Sequence, residues 1–402
     1  MLRPQTKEIG EIGPTPGEPE AVQVWDTGIR VFHWLLAGAV SVSLATGFFD
    51  PILWLRWHLV SGCTIAALVF FRLVWGFLGT RHARFADFAY PFSEVVRHAR
   101  NLAARRPARF VGHNPLGSLM VFMVLLVLAA MVGTGIVVLG GFVKEGPLAP
   151  FTRFTTGRAV LEVHETLAWF ILAMVVAHLA GVAAESLLTR ENLVLSMLTG
   201  RKQGGAPVSP EIRGAPRVTA VIVLGGVALV TAGVMALANL PPYGVPPAEL
   251  DPEWKLQCGA CHFAYPPSLA PASVWDGMFA DLKHHFGRAD ATLGPELETR
   301  LKAYADANSA EHWDTLPAHV FRVRDPADPG RLTATPFWRR RHREIPKPVF
   351  NSPKVAGNFN CNACHHDAET GRFAPQAIAI PPEAEAGQGP AADSGSTQSA
   401  SP

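Results

Sequence analysis

Charge is scarce in this chain. Asp, Glu, Lys and Arg make up only 17% of its 402 residues, and its mean hydropathy is positive. The formal net charge is +2, so no basic excess points to nucleic acid. No phosphate loop and no nucleophile constellation is visible, which leaves little support for hydrolytic or phosphoryl-transfer chemistry. Strand patterns are few. The first 20 residues carry Pro, Gly and Glu without an apolar core, so a cleavable signal peptide is not expected. What the chain does have is long uncharged runs separated by arginine clusters, the profile of a membrane protein. Its length leaves room for two or three domains.

Cysteine is scarce as well, and four of the five sit in two strings: Cys258-Gly259-Ala260-Cys261-His262 and Cys361-Asn362-Ala363-Cys364-His365. Each is a C-x-x-C-H. In that pattern two thiols bond a porphyrin and the adjacent His ligates its iron. A zinc site would leave both His residues unexplained, and a redox dithiol would need a βαβ context that is not found. Two covalent haems c are therefore expected. The fifth cysteine, Cys63, reads as a small packing residue.

Five membrane spans are expected, over residues 29–49, 57–78, 116–143, 160–188 and 218–240. The third and fifth have no charge over more than 20 residues, enough to cross ~30 Å of hydrocarbon. Arginine counting sets the orientation. Seven arginines lie between Arg81 and Arg109, and Arg190, Arg201, Lys202, Arg213 and Arg217 follow the fourth span. The other two links offer only Arg56, and Lys144, Arg153 and Arg158. The arginine-rich loops and the N-terminus are thus expected in the cytoplasm. The C-terminal segment is expected outside, where bacterial haem c is attached.

The spans contain His33, His58, His164 and His178. A histidine inside a membrane is costly unless it is bonded or bound. One could be an interhelical hydrogen bond; four strain that reading. His164 and His178 are 14 residues apart, ~21 Å along one helix face. Depth then pairs His33 with His178 on the cytoplasmic side and His58 with His164 on the outer side. Each pair can give two axial imidazoles to one haem b. Arg72 and Arg30 lie at the level of the lower haem. They are possible partners of its propionates, or they snorkel to the cytoplasmic surface. His82, His98 and His113 are expected to be solvated or to face lipid headgroups.

Val24-Trp25-Asp26, Arg30-Val31-Phe32-His33-Trp34, Phe71-Arg72-Leu73-Val74-Trp75-Gly76 and the His164/His178 spacing resemble the bacterial di-haem cytochrome b family. That family includes the b-type subunit of nickel–iron hydrogenases. The resemblance covers roughly residues 20 to 200. It implies a four-helix core with two bis-His haems that moves electrons between quinone and a partner. The fifth span falls outside that core and reads as an added tether.

After Pro241-Pro242-Tyr243-Gly244 the composition becomes soluble. Helical patterns run over residues 276–286 and 295–308. A domain this small buries little apolar surface of its own, so its haems would form much of its core. Each iron needs a distal ligand, and His284, His285, His312, His319, His342, His366 and Met278 are open candidates. The strings from Cys258 to Pro267, His285-Phe286-Gly287, Arg341-His342-Arg343-Glu344-Ile345 and Asn360 to His365 resemble the periplasmic di-haem cytochrome c family. That family donates electrons to a small oxygen- and nitric-oxide-binding haem protein. The resemblance covers about residues 250 to 380 and implies His285 and His342 as the distal pair. Each is assigned to the motif nearer in sequence, His285 to His262 and His342 to His365.

The expectation is an all-α chain: a transmembrane four-helix di-haem bundle, a fifth tethering helix, and a small, mostly helical di-haem c-type domain. The expected segments are a cytoplasmic N-terminus (1–22), the cytochrome b domain (23–200), a linker (201–217), the fifth helix (218–240), the periplasmic c domain (246–380) and a disordered tail (381–402). Membrane lipid, the quinol pool and a soluble periplasmic haem protein are the expected partners in a bacterial inner membrane, and nucleic acid is not. No residue pattern marks a quinone pocket. The alternative is a periplasm-facing haem enzyme or gas sensor with an open c-haem iron.

Overall fold

In this computed structural model, residues 21–49, 54–106, 108, 110–203, 217–287 and 292–381 are described. Nearly all of the expected N-terminal segment, most of the 201–217 linker and nearly all of the 381–402 tail lie outside them.

Helix is the dominant element. The helices are α1 (Thr27–Phe49), α2 (Leu55–Leu78), α3 (Phe92–Ala103), α4 (Pro115–Val138), α5 (Phe154–Thr189), α6 (Leu193–Thr199) and α7 (Arg217–Ala238). They are followed by α8 (Pro252–Cys258), α9 (Ala272–Ala280), α10 (Pro295–Ala307), α11 (Leu316–Val320), α12 (Pro336–Arg341) and α13 (Lys347–Phe350). Among the described residues four helical stretches are long and apolar enough to cross a membrane: α1, α2, α4 with its continuation to Val143, and α5. Helix α7 occupies the place of the expected fifth span; the side chains of residues 217–224 lie outside those described.

The fourth span begins at Phe154, six residues before the expected Val160. The residues before Val160 include Arg158 and two threonines, so hydropathy hides a helix that starts ahead of its apolar run. Leu126, Trp169 and Leu179 on the long helices are each more than 60% exposed. Large apolar residues exposed along membrane-length helices are a lipid-facing surface. This is a membrane protein.

The described residues form two compact units. The first takes in those up to Ala45, Trp57–Val132 and the stretch from Thr166 to Gly225. Its core joins Ile65 and Val69 of α2, Leu125 and Leu128 of α4, and Ile171 and Met174 of α5. Asp26 starts α1: its carboxylate accepts from the Ile29 amide (2.9 Å), the Trp75 indole (3.1 Å) and the Thr80 hydroxyl (2.7 Å). Beside it lies a short antiparallel pair, β1 (Ala21–Gln23) with β2 (Arg201–Gln203), in the register Val22 to Lys202. A three-residue pairing carries too little alternation to be seen in sequence.

The second unit takes in Thr46–Arg56, Gly133–Glu165 and the residues from Gly226 on. It therefore includes the connection between α4 and α5, where a π turn over Leu139–Val143 ends at Lys144 in a left-handed conformation (φ 65°). Its main core packs Trp254 of α8, Trp275 and Phe279 of α9, and Leu301 and Ala305 of α10. A smaller cluster joins Val349 and Val355 to Ile345, Phe350 and Cys364.

Candidate functional site

Three pairs of the expected histidines stand opposite each other, with ring planes inclined by 48–66°. In the first unit the ring centroids of His33 (α1) and His178 (α5) are 6.3 Å apart. In the second unit His262 and His285 are 6.1 Å apart, and His342 and His365 are also 6.1 Å apart. Imidazole–metal bonds are about 2 Å long. With each ring centre about 1 Å behind its nitrogen, two imidazoles sharing one metal have centroids roughly 6 Å apart. All three pairs fit a shared iron.

His58 and His164 sit in different units, and each is oriented within its own. The His58 Nδ1 donates to the Ser43 carbonyl at 3.1 Å, a bond that orients the ring. The His164 Nδ1 lies 2.9 Å from the Thr134 hydroxyl. The same device recurs in the segment that carries the C-x-x-C-H motifs. The His262 Nδ1 donates to the Phe263 carbonyl (2.7 Å) and the His342 Nδ1 to the Trp338 carbonyl (2.9 Å). Trp338 also stacks on His342 at 4.4 Å. The Thr335 hydroxyl accepts from the Trp338 amide and so starts α12, which carries Trp338 and is capped at its C-terminus by His342.

Burial favours the neutral, ligating form of His285, His342 and His365. It pushes His365 down to about 4, helped by His342. His285 is lowered by burial and by His262. His342 is also lowered, by burial first. Burial pushes the Cys258 thiol up to about 12 and Cys361 to about 11, which marks a dry setting for both motifs. The Tyr265 hydroxyl bridges the two motifs by donating to the Phe359 carbonyl at 2.6 Å, while the Trp254 indole holds the Tyr265 carbonyl.

The other histidines proposed as distal ligands are placed elsewhere. His284 is exposed and paired with Asp281. His312 and His366 are exposed. The His319 Nε2 lies 2.9 Å from Asp314. Met278 packs against the Trp254–Trp275 core.

Arg72 is 3% exposed, and one of its terminal nitrogens has no hydrogen-bond partner. It lies over the ring of Phe85 at 4.6 Å. Phe85 itself presses so closely on α2 that a Cβ at Gly76 would meet its ring at 2.1 Å. The Arg30 Nε is likewise buried without a partner, and so is the His33 Nδ1. The buried Arg72 and the half-buried Arg30, which also donates to the Leu198 carbonyl, each keep an unmet donor, and such groups suit the acidic groups of a haem.

Two expectations fail here. His98 is 3% exposed and packs edge-on against Phe110, not against water or headgroups. His113 lies 4.4 Å from Phe88 and 4.7 Å from Trp25. Burial, reinforced by Arg72, pushes it down to about 3. The amphipathic helix α3 and the aromatic residues Phe88 and Phe110 fold back over this surface, so a run rich in arginine still buries its histidines. Cys63 is exposed on α2 and is not a core packing residue. Tyr265 and Asp26 were not singled out in the sequence, although both lie inside its most distinctive strings.

Apolar membrane-length helices bearing facing histidines, followed by a domain with two C-x-x-C-H sites, define a membrane cytochrome of mixed b and c type. Residues 24–200 match the family of prokaryotic cytochrome b561, and residues 254–373 that of dihaem cytochrome c, so the chain joins a segment of each kind. It is 25% identical over 218 residues to a probable Ni/Fe-hydrogenase B-type cytochrome subunit of Rhizobium leguminosarum bv. viciae, covering 46% of this chain and 90% of that protein. The corresponding protein of Azotobacter chroococcum is 26% identical over 231 residues, covering 50% and 96%. A solved diheme cytochrome type c from Shewanella baltica is 32% identical, with 34% of this chain and 95% of that chain covered and a TM-score of 0.27. Both segments are haem-binding, and together they serve electron transfer at a membrane.

Proposed function

We propose that this chain is a tetra-haem cytochrome that carries electrons from the quinol pool to a soluble haem protein in the periplasm. The observation that carries the reading is the set of three histidine pairs at 6.1–6.3 Å. In it His33 and His178 ligate a cytoplasmic-side haem b, with Arg30 and Arg72 facing its propionates. His58 and His164 ligate an outer haem b; that pairing rests on the depth of each residue in its own helix. Cys258, Cys261 and His262 attach the first haem c, with His285 as its distal ligand. Cys361, Cys364 and His365 attach the second, with His342 distal.

Bound haem supplies a one-electron centre at iron. The protein supplies the axial ligands, their orientation and the dry surroundings that set the potential. With both axial positions filled, an iron exchanges electrons and does not bind substrate. The arginine-rich loops support an orientation with the N-terminus in the cytoplasm and the c domain outside. Joining the modules in one chain makes handover between them intramolecular.

Haem analysis tests this. Two haems should be extractable by acid acetone and two should remain covalent. A pyridine haemochrome ratio of b to c far from one would overturn the assignment.

A further inference from the structure

Lys144 and Asp314 are 170 residues apart and form an ion pair at 2.7 Å, with the lysine side chain 3% and the aspartate 18% exposed. Both belong to the second compact unit. Lys144 ends the π turn after α4, in the connection that leads to α5. Asp314 lies in the c-type segment, just before α11. Neither residue carries a haem or belongs to an attachment motif.

Asp314 is the centre of a larger network. One carboxylate oxygen accepts from the Lys144 ammonium and from the Phe154 amide, both at 2.7 Å. The other is bonded to the His319 Nε2 at 2.9 Å. Phe154 is the first residue of α5, so a side chain from the c-type segment satisfies an orphan amide of the helix that carries His164 and His178. His319 stacks on the Phe154 ring at 4.4 Å and 20°. Lys144 is further held by the Thr152 carbonyl at 3.0 Å.

The segment that leaves α7 is fastened to the same place. The Tyr243 amide donates to the Ala149 carbonyl at 2.9 Å, and the Asp314 amide donates to the Gly244 carbonyl at 2.7 Å. Gly244 has φ 64°, and a Cβ there would lie 2.5 Å from the Asp314 Cβ. A c-type domain on a loose tether would need none of this. A buried lysine kept in a left-handed conformation is tolerated only where its surroundings fix it.

We propose that Asp314 is a positioning residue: a latch that clamps the c-type domain onto the α4–α5 connection and the first turn of α5. It thereby holds the c haems at a fixed distance from the haem-bearing helix. Electron tunnelling falls exponentially with distance, so a clamped domain transfers from one geometry, and an unclamped one must search for it. The consequence for handover rests on the proposed function; the clamp itself does not.

The test uses the full-length protein in nanodiscs, as wild type, Asp314→Ala and Lys144→Met. Hydrogen exchange is read on peptides covering residues 142–158 and 239–250, and c-haem reduction by quinol is followed in stopped flow. Both variants should exchange about tenfold faster in these peptides, with unchanged b and c haem content and unchanged potentials, and c-haem reduction should slow several-fold. Unchanged exchange in both variants overturns the latch. Faster exchange with an unchanged reduction rate overturns its positioning role. Should Asp314→Ala lose haem c, Lys144→Met carries the test, because it keeps the aliphatic stem. A wild type lacking haem b fails the haem analysis before any variant is made, so the two readings fail separately.

Discussion

The imidazoles of His342 and His365 face each other at 6.1 Å across 23 residues of sequence. Each is fixed independently: His342 by the Trp338 carbonyl and ring, and His365 through its backbone amide to the Cys361 carbonyl. Their separation fits two axial ligands of one iron.

The first expectation concerns that closure. Reduced wild-type protein should show no Soret shift with carbon monoxide. His342→Ala and His285→Ala should each open one c-type iron and give a shift in about half of the c signal, while His284→Ala should give none. Binding by the wild type would restore the gas-sensor or enzyme alternative.

His178→Ala should remove one haem b and leave the c haems, because His33 alone gives a single axial ligand. Haemochrome analysis should then give a b to c ratio near one to two. Retention of both haems b with unchanged spectra would refute the pairing with His33.

Arg72 offers a subtler probe. A buried positive charge favours the reduced, more negative state of a nearby haem. Arg72→Leu should therefore lower the potential of one haem b by on the order of 60 mV, a tenfold change in a one-electron equilibrium. A redox titration resolved into b components reads this, and no change in either would remove Arg72 from the haem's surroundings.

Much of this was legible in the sequence because covalent haem chemistry fixes residue type and spacing at once. C-x-x-C-H names its own ligands, and histidines 14 residues apart on an apolar helix name a face. The distal residues were not legible from local sequence: His284 and His285 are neighbours, and only the fold exposes one and turns the other toward His262. The Asp314 network was illegible for a different reason. It joins residues 170 apart, and no local pattern distinguishes its aspartate from those of a solvated surface. The buried His98 and His113 show the same limit, since aromatic residues far along the chain cover them.

Asp314 also sets a pH dependence. Burial alone would raise its carboxyl, but Lys144, His319 and the Phe154 amide outweigh that and hold it below the ordinary value. A carboxyl depressed in the folded state stabilises it above its unfolded pKa of about 4, and this is lost as pH falls through the lower folded value. Removing one partner of a buried pair costs about 3–5 kcal/mol. Lys144→Met should therefore destabilise the c-type domain at pH 7, and its deficit against wild type should shrink as the pH falls below about 4. Thermal melts followed at the c-haem band measure it, and a deficit independent of pH would mean the carboxylate is not the partner that matters.

The most direct test of the account is the rate at which quinol reduces the c haems when the outer haem b is missing. His58→Ala removes a proposed ligand of that haem and none of the c-type domain, which folds on its own Trp254–Trp275 core. Stopped flow at the c-haem α-band should show full haem c content with reduction slowed by orders of magnitude. Unchanged c-haem reduction in a variant shown to lack the outer haem b would mean that electrons reach the c domain directly, and would contradict a path through the membrane helices.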